Sequence, residues 1–586
     1  MVKHRDAQQA LREVRKPIMI RSVLGAVVAT VATVGSAWAQ AIYPLDRAEI
    51  LAGAMFDFKV EVDGSVAADA LSVTINGRPV AEVLGGTGAF VANEEGQAHS
   101  AFWLRGARLT APGRYQVEAK TATSVARVSW EVFGTLQPAA RNVILFVVDG
   151  LSNAHRVAAR TLSKGIRQGR YGGELAIDDM PHMALVSTAG TDSIITDSAN
   201  AASSYTTGHK TCVNALGVYC ARNKSDRAHP RVETIASLAR RVRGKAIGVV
   251  TNTEIQDATP AAMVAHTRRR ADYDGITEML FDAAPEVILG GGSAGFLPTP
   301  QGRRRDNVDY LARFESAGYR LVATGKDMTA AAGDPGVKKL LGLFHPRNMD
   351  GALDRFFLKK GTVGTYPEQP DLVEELDAAL AVLERSENGF VLMVESGLVD
   401  KFSHVLDWER AVYDTIMLDN AVARAKAWAG TRQDTLIIVV ADHAHPVSII
   451  GTYDDARPGD TLREKLGVYN AAGFPNYPAA NESGYPSGVD VSRRLAFVFS
   501  AYPDTCDVGR PFLGNPNKPG DEAVCALPGA AKRIGNLPLK ATSGVHSAED
   551  VVLTATGPGA EMFRGRIDNT RVFRVMATAL GLGTAD

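Results

Sequence analysis

The sequence predicts an α/β protein: a central, mostly parallel sheet flanked by helices, preceded by a small all-β domain of immunoglobulin type. Three observations predict it. From about residue 141, short apolar runs alternate with helical stretches, the pattern of a parallel sheet covered by helices. Several of those runs end in an acidic residue or a histidine, as strands that deliver ligands to one sheet edge would. Residues 41–135 instead carry short runs of alternating polarity separated by glycine-rich turns.

In the first of these regions, Phe56-Asp57-Phe58-Lys59-Val60-Glu61-Val62 alternates with period two, as a half-buried strand does. The run 71–75 leads into Asn76-Gly77, a hairpin turn signal, and further runs follow at 101–104, 114–119 and 125–132. No catalytic constellation lies here, so a spacer or a module that contacts a surface or another protein is expected. The character changes after Leu136-Gln137-Pro138. Strands are expected at 143–148, 246–250, 287–289, 390–394, 435–440, 495–499 and 551–554, with helices such as 371–385 and 408–428 between them.

Bulk composition narrows the function. Hydrophobic residues make up 45% of the 586, enough for a full core. Lysine plus arginine is 64 and aspartate plus glutamate 65. That balance excludes the strongly basic character of a nucleic-acid-binding protein, and Arg303-Arg304-Arg305 reads as a solvated loop. At the N-terminus, Arg15, Lys16 and Arg21 precede an uncharged apolar run, 23–34, and the small-residue site Ala37-Trp38-Ala39. This is the pattern of a signal peptide over 1–39, and the run is shorter than the about 20 residues of a membrane span. An exported protein, periplasmic or secreted, is expected. Its four cysteines fall as two local pairs, Cys212–Cys220 and Cys506–Cys525, expected as disulfides.

The chemistry is carried by the run ends. One run ends at Asp149, another at Glu395 and a third at Asp442-His443. A single carboxylate there is ordinarily a helix cap; three such ends, one carrying Asp-His-Ala-His445, point to a metal centre. Asp400 and His404 are four apart, on one face of a helical turn, and although a surface ion pair is the commoner source of that spacing, Glu395 lies just upstream. His546 precedes another apolar run. Thr196-Asp197-Ser198-Ala199-Asn200-Ala201 places a serine where a helix opens among small residues. A serine there serves as an N-cap or as a nucleophile facing an anion at the helix N-terminus.

Four stretches occur in order: Thr196-Asp197-Ser198-Ala199; Gln256-Asp257-Ala258-Thr259-Pro260 with Ala265-His266-Thr267; Val394-Glu395-Ser396-Gly397-Leu398-Val399-Asp400-Lys401; and Ala441-Asp442-His443-Ala444-His445. With His546 they resemble the alkaline phosphatase family over about residues 141–580. The resemblance implies hydrolysis of phosphate monoesters through a phosphoserine on Ser198. It implies one zinc held by Asp400, His404 and His546, and a second by Asp149, Asp442 and His443. A magnesium would be held by Asp149, Thr259 and Glu395, with His445 supporting the zinc sites from behind. Arg270 falls where the family grips phosphoryl oxygens, and Asp257 with Lys401 resembles the bacterial branch. A homodimer is a further expectation. The chain departs from the pattern at Leu151-Ser152, in the β module 41–135, and at 452–535, which looks like a variable insertion in the catalytic region 141–586. Two other readings are a phosphodiesterase or sulfatase of the same superfamily and a non-catalytic phosphate-binding surface protein. No sulfatase motif surrounds Ser198, and every catalytic position holds a competent residue.

Overall fold

The structure, a computed structural model, describes residues 40–507, 522–528 and 530–583. The expected signal segment lies outside the described residues. At the centre is a ten-stranded sheet. From edge to edge its strands are Arg320–Val322, Leu340–Leu343, Val287–Gly291, Ala246–Glu254, Phe390–Ser396, Asn142–Val148, Thr435–Ala441, Val551–Thr556, His182–Ser187 and Arg564–Asp568. Val551–Thr556 runs antiparallel to both neighbours, and the other adjacent pairs are parallel.

The three middle strands Phe390–Ser396, Asn142–Val148 and Thr435–Ala441 are buried at every position. Their near-continuous Val, Ile and Leu content is what a strand covered on both faces requires. The covering helices include Leu372–Leu383, opened by a reciprocal Asp371–Glu374 capping box, and Trp408–Ala429, which pack on each other and on the sheet. The strands at 182–187, 320–322, 340–343 and 564–568 were not expected from the sequence. They lie toward the sheet edges, where short or partly exposed segments lack a long apolar run. The run expected as a central strand at 495–499 is a strand, Arg493–Phe499, in a different place. It pairs antiparallel with Val447–Asp454 in a separate three-stranded sheet. Apolarity signals burial and does not say which sheet buries it.

Residues 40–133 form two further sheets. One holds Gln40–Tyr43, Phe56–Asp63, His99–Ala107 and Ala89–Val91; the other Glu49–Leu51, Val125–Phe133, Gly113–Lys120, Ser72–Ile75 and Arg78–Pro79. Asn76 and Gly77 take φ of 51° and 77°, the left-handed pair that a tight hairpin needs. Ile50, Phe58, Ile75 and Trp130 lie in their shared core, which also takes in Tyr219 and Val232 from beyond the module.

One expectation here is corrected. Phe56–Asp63 is not half-buried: Asp57, Lys59 and Glu61 on its polar face are buried as well. The reason is that residues 219–233 cover that face. Lys59 Nζ lies 2.5 Å from Glu61 Oε1, 2.8 Å from Glu94 Oε2 and 2.9 Å from Asn223 Oδ1. The backbone N–H of Arg222 donates to Glu61, that of Arg231 to Asp57, and that of Met55 to Glu233. Both expected disulfides, Cys212–Cys220 and Cys506–Cys525, are present. No helix among the described residues is long and apolar enough to cross a membrane.

Lys59 is the only cation placed between Glu61 and Glu94 among the described ion pairs. Removing one partner of a buried charge network leaves the others uncompensated, at about 3–5 kcal/mol. Lys59→Ala is expected to lower unfolding stability by that order in urea titration. A loss below about 1 kcal/mol, the range of an exposed pair, would show the network to be inconsequential.

Candidate active site

The carboxyl ends of the middle strands place their acidic residues side by side. Asp149 follows Asn142–Val148, Glu395 lies near the end of Phe390–Ser396, and Asp442-His443 follow Thr435–Ala441. Asp400 and His404 ride on the short helix Leu398–His404 that leaves the second of these. The turn after Asp149 depends on Gly150. Its φ is 74°, and a Cβ there would lie 2.7 Å from His445 Cδ2 and 3.1 Å from Asp400 Cβ.

Two clusters result, each with ligand atoms within 4.8 Å of one another: Asp400, His404, His445 and His546; and Asp149, Asp442 and His443. In the first, Asp400 Oδ1 lies 2.7 Å from His445 Nε2 and 3.3 Å from both His404 Nε2 and His546 Nε2. His445, expected to support from behind, has its Nε2 on Asp400, close to the other nitrogens of the cluster. In the second, His443 Nε2 is 3.1 Å from Asp149 Oδ1 and 3.4 Å from Asp442 Oδ2.

Ser198 is the first residue of the helix Ser198–Thr207, but the cap is Asp197, in a reciprocal capping box with Asn200. The serine hydroxyl is therefore not used to cap the helix. Its Oγ lies 3.3 Å from Asp149 Oδ1 and 3.3 Å from His443 Nε2, at the second cluster. The helix N-terminus behind it favours an incoming anion. Arg270 reaches the same place, held by Asp197 Oδ2 at 3.2 Å and Asp257 Oδ1 at 2.7 Å. Lys401 Nζ lies 3.0 Å from Asp257, 3.3 Å from Asp400 and 3.6 Å from Asp149.

Thr259 opens away from any partner: its buried Oγ1 makes no hydrogen bond. Glu395 accepts from Thr251 and, at 2.8 Å, from Thr253. Burial, then the charges of Asp149 and Asp257, push Glu395 up to about 7. Burial with Asp149 and Asp400 holds Asp442 well above the usual carboxylate range. Burial and Asp400 act in the same direction on Asp149, yet Lys401 and His443 keep it below that range. The buried Asp442 Oδ2 has no hydrogen-bond partner either. The donors fit metal ions: imidazole and carboxylate in the two clusters are the donor types zinc takes, and the carboxylate and hydroxyl oxygens of Asp149, Glu395 and Thr259 are the type a hard cation takes.

Several residues here escaped the sequence reading. Thr251 and Thr253, where an apolar strand turns polar, hold Glu395. Asn252 Oδ1 accepts from the Gly397 N–H, and the Ser152 hydroxyl donates to the His445 carbonyl and accepts from the His445 N–H. Asp197 caps the helix and holds Arg270. Conversely, His266 lies apart, with Nε2 on the Val232 carbonyl. The run Arg303-Arg304-Arg305, expected as a solvated loop, is exposed only at Arg305. Arg304 is 1% exposed, because its guanidinium is taken up by Asp306 and by the carbonyls of Asp274 and Gly295.

Fold and site together define an α/β protein with paired candidate metal centres beside a serine at a helix N-terminus. A sequence profile of the alkaline phosphatase family matches residues 140–471. Alkaline phosphatase H of Pseudomonas aeruginosa is 32% identical over 61% of this chain and 80% of its own. The alkaline phosphatase of Escherichia coli is 32% identical over 58% of this chain and 77% of its own. Among solved structures, alkaline phosphatase from Thermus thermophilus superposes with a TM-score of 0.54 at 25% identity, covering 77% of this chain and 93% of that one. That from the Antarctic bacterium TAB5 does so at 0.52 and 20% identity, over 76% and 99%, and shows the shared fold. The chain belongs to the alkaline phosphatase family. It is a phosphatase of a metal-dependent family.

Chelation gives a pH-dependent test of the clusters. A carboxyl with a raised folded pKa contributes most below its unfolded value, and that contribution is lost as pH rises through the folded value. Glu395, beside Asp149 of the second cluster and raised to about 7, keeps its proton in the metal-free protein at pH 5 and would have to lose it to bind a cation. The gap in Tm between metal-loaded and chelated protein is expected to widen from pH 5 to 8. A constant gap would contradict cation binding at these carboxylates.

Proposed function

We propose that the chain hydrolyses phosphate monoesters through a phosphoserine on Ser198. The observation that carries this reading is the Ser198 hydroxyl, free of capping duty and 3.3 Å from both Asp149 and His443. Asp400, His404 and His546 would hold one zinc ion, Asp149, Asp442 and His443 a second, and Asp149, Thr259 and Glu395 a magnesium. When bound, these cations supply Lewis-acid stabilisation of the attacking and leaving oxygens. His445 adds a nitrogen on Asp400.

The chain's own residues do the rest. Ser198 Oγ attacks phosphorus in line as the bond to the departing alcohol breaks. Arg270 presents two N–H groups to the non-bridging oxygens, a bidentate fork that matches a phosphoryl group. Asp197 and Asp257 hold that fork in place, and Lys401 adds positive charge on the same side. Water then cleaves the phosphoserine, releasing phosphate and restoring the hydroxyl. A monoester, with two charges and three non-bridging oxygens, uses this arrangement fully. A diester has one charge and a second group in place of one oxygen. The β-sandwich 41–135 is proposed as a module outside the chemistry, the segment 452–535 as a variable insertion, and the whole as an exported protein acting as a homodimer. The two disulfides support an oxidising compartment.

Ser198→Ala is expected to abolish turnover of p-nitrophenyl phosphate by at least about a thousandfold, an order typical of losing the nucleophile of a covalent mechanism, while metal content stays unchanged. Near wild-type turnover would overturn the assignment. Arg270→Ala is expected to lower kcat/KM for p-nitrophenyl phosphate much more than for bis-p-nitrophenyl phosphate. Equal losses, or a wild-type preference for the diester, would overturn the monoesterase reading.

A further inference from the structure

The two arginine triplets of the sequence, Arg268-Arg269-Arg270 and Arg303-Arg304-Arg305, converge on one cavity. It has a volume of about 830 Å³ and is continuous with the phosphoryl clamp, since Arg270, Asp257 and Lys401 form its inner wall. Its outer wall is Tyr273, Arg303 and Arg305, with Arg269 also lining it. A cleft of this size exceeds what a phosphoryl group alone occupies, which leaves room for part of a substrate between the clamp and this outer wall.

The charges of that wall are unequally satisfied. Its acidic residues are already engaged: Asp257 by Arg270 and Lys401, Asp272 by Arg227 at 2.8 Å, and Asp274 by the buried Arg304 at 3.8 Å. Arg269 is paired with Asp226 at 2.8 Å. Arg303 donates to a Glu254 carboxyl oxygen, and its guanidinium lies 4.5 Å from the centre of the Tyr273 ring, which fixes both side chains. Arg305 differs from the rest. It is exposed to the cavity and has no ion pair or hydrogen bond to its side chain among the described residues. Arg305 thus lines the same cavity as the half-buried Tyr273 ring, with its guanidinium free of protein partners among the described residues.

We propose that Arg305 and the Tyr273–Arg303 pair form a subsite that selects monoesters whose alcohol portion carries its own anionic group, a second phosphate or a carboxylate. This rests on the monoesterase reading of the same site and adds to it a determinant of substrate choice. The guanidinium of Arg305 offers the fork that phosphate and carboxylate oxygens accept. Tyr273 offers a flat apolar surface to the atoms between the two anionic groups. The selection is by binding, and Arg305 takes no part in bond breaking.

The test measures kcat/KM for three aryl monoesters: p-nitrophenyl phosphate, 4-carboxyphenyl phosphate and hydroquinone bisphosphate. Wild-type protein is compared with Arg305→Ala and Arg305→Lys. Arg305→Ala is expected to lower kcat/KM for the two charged substrates about fivefold relative to p-nitrophenyl phosphate, the order of one partly solvated charge-assisted hydrogen bond. The loss should lie in KM rather than kcat, shrink at about 1 M salt, and be partly restored by Arg305→Lys. A loss for the bisphosphate alone supports the subsite and narrows its ligand to a second phosphoryl group. Equal changes for all three substrates, or a loss confined to kcat, overturn the subsite and leave the monoesterase reading standing. Failure of the wild-type protein to hydrolyse any of the three overturns that reading and the subsite with it.

Discussion

The repulsion among buried carboxylates at the sheet edge is the constraint on which the rest of the structure depends. Asp149, Glu395, Asp400 and Asp442 are each at most 2% exposed and meet at the ends of adjacent strands. Two like charges about 4 Å apart cost on the order of 4 kcal/mol even at an effective dielectric of about 20. Lys401 and Arg270 offset part of this, and both are themselves shared with Asp257, Arg270 with Asp197 as well. What remains, including a buried Asp442 oxygen and a buried Thr259 hydroxyl that make no hydrogen bond, is what divalent cations would satisfy. The strands, the Gly150 turn and the Ser198 helix can then be understood as the scaffold that keeps these charges together against their own repulsion.

A second buried acidic cluster in the same chain makes the point by contrast. Glu61, Glu94 and His99 also lie close enough to hold a metal ion. There, however, the cation is built in: Lys59 Nζ touches both carboxylates, and Trp103 Nε1 donates to Glu94. That cluster is complete, and its evident effect is to fasten the β module onto residues 219–233. At the sheet edge Lys401 reaches Asp149 and Asp400, but Asp442 Oδ2 and Thr259 Oγ1 keep no hydrogen-bond partner. Buried acid–histidine groups that look alike in composition are separated by whether the chain supplies its own counter-charge.

The central strands and the clustered acidic residues were legible because burial on both faces demands unbroken apolar runs and because these residues sit directly at the run ends. Asp149, Glu395 and Asp442 could be found by reading where each run stops. The edge strands were not legible: His182–Ser187 alternates in burial, and its apolar Met183 and Leu185 are exposed. The placement of Arg493–Phe499 outside the central sheet was hidden for a related reason, since pairing partners leave no trace in a single strand's composition. The polar face of Phe56–Asp63 misled in the opposite direction, because alternation predicts exposure and cannot foresee that a distant segment covers it. Arg303 and Arg305 were likewise ambiguous. A triplet of arginines looks the same in sequence whether solvated or lining a cleft.

The central claim is that this charged edge exists to activate Ser198 as a nucleophile. Its most direct test is to quench the metal-loaded protein with acid during steady-state turnover of a phosphate monoester and map phosphoryl adducts by peptide mass spectrometry. The account predicts an adduct on the peptide containing Ser198, at Ser198 itself, and none after Ser198→Ala. Turnover with no adduct on Ser198, accompanied by inversion of configuration at a chiral phosphorus, would show direct attack by water and contradict it.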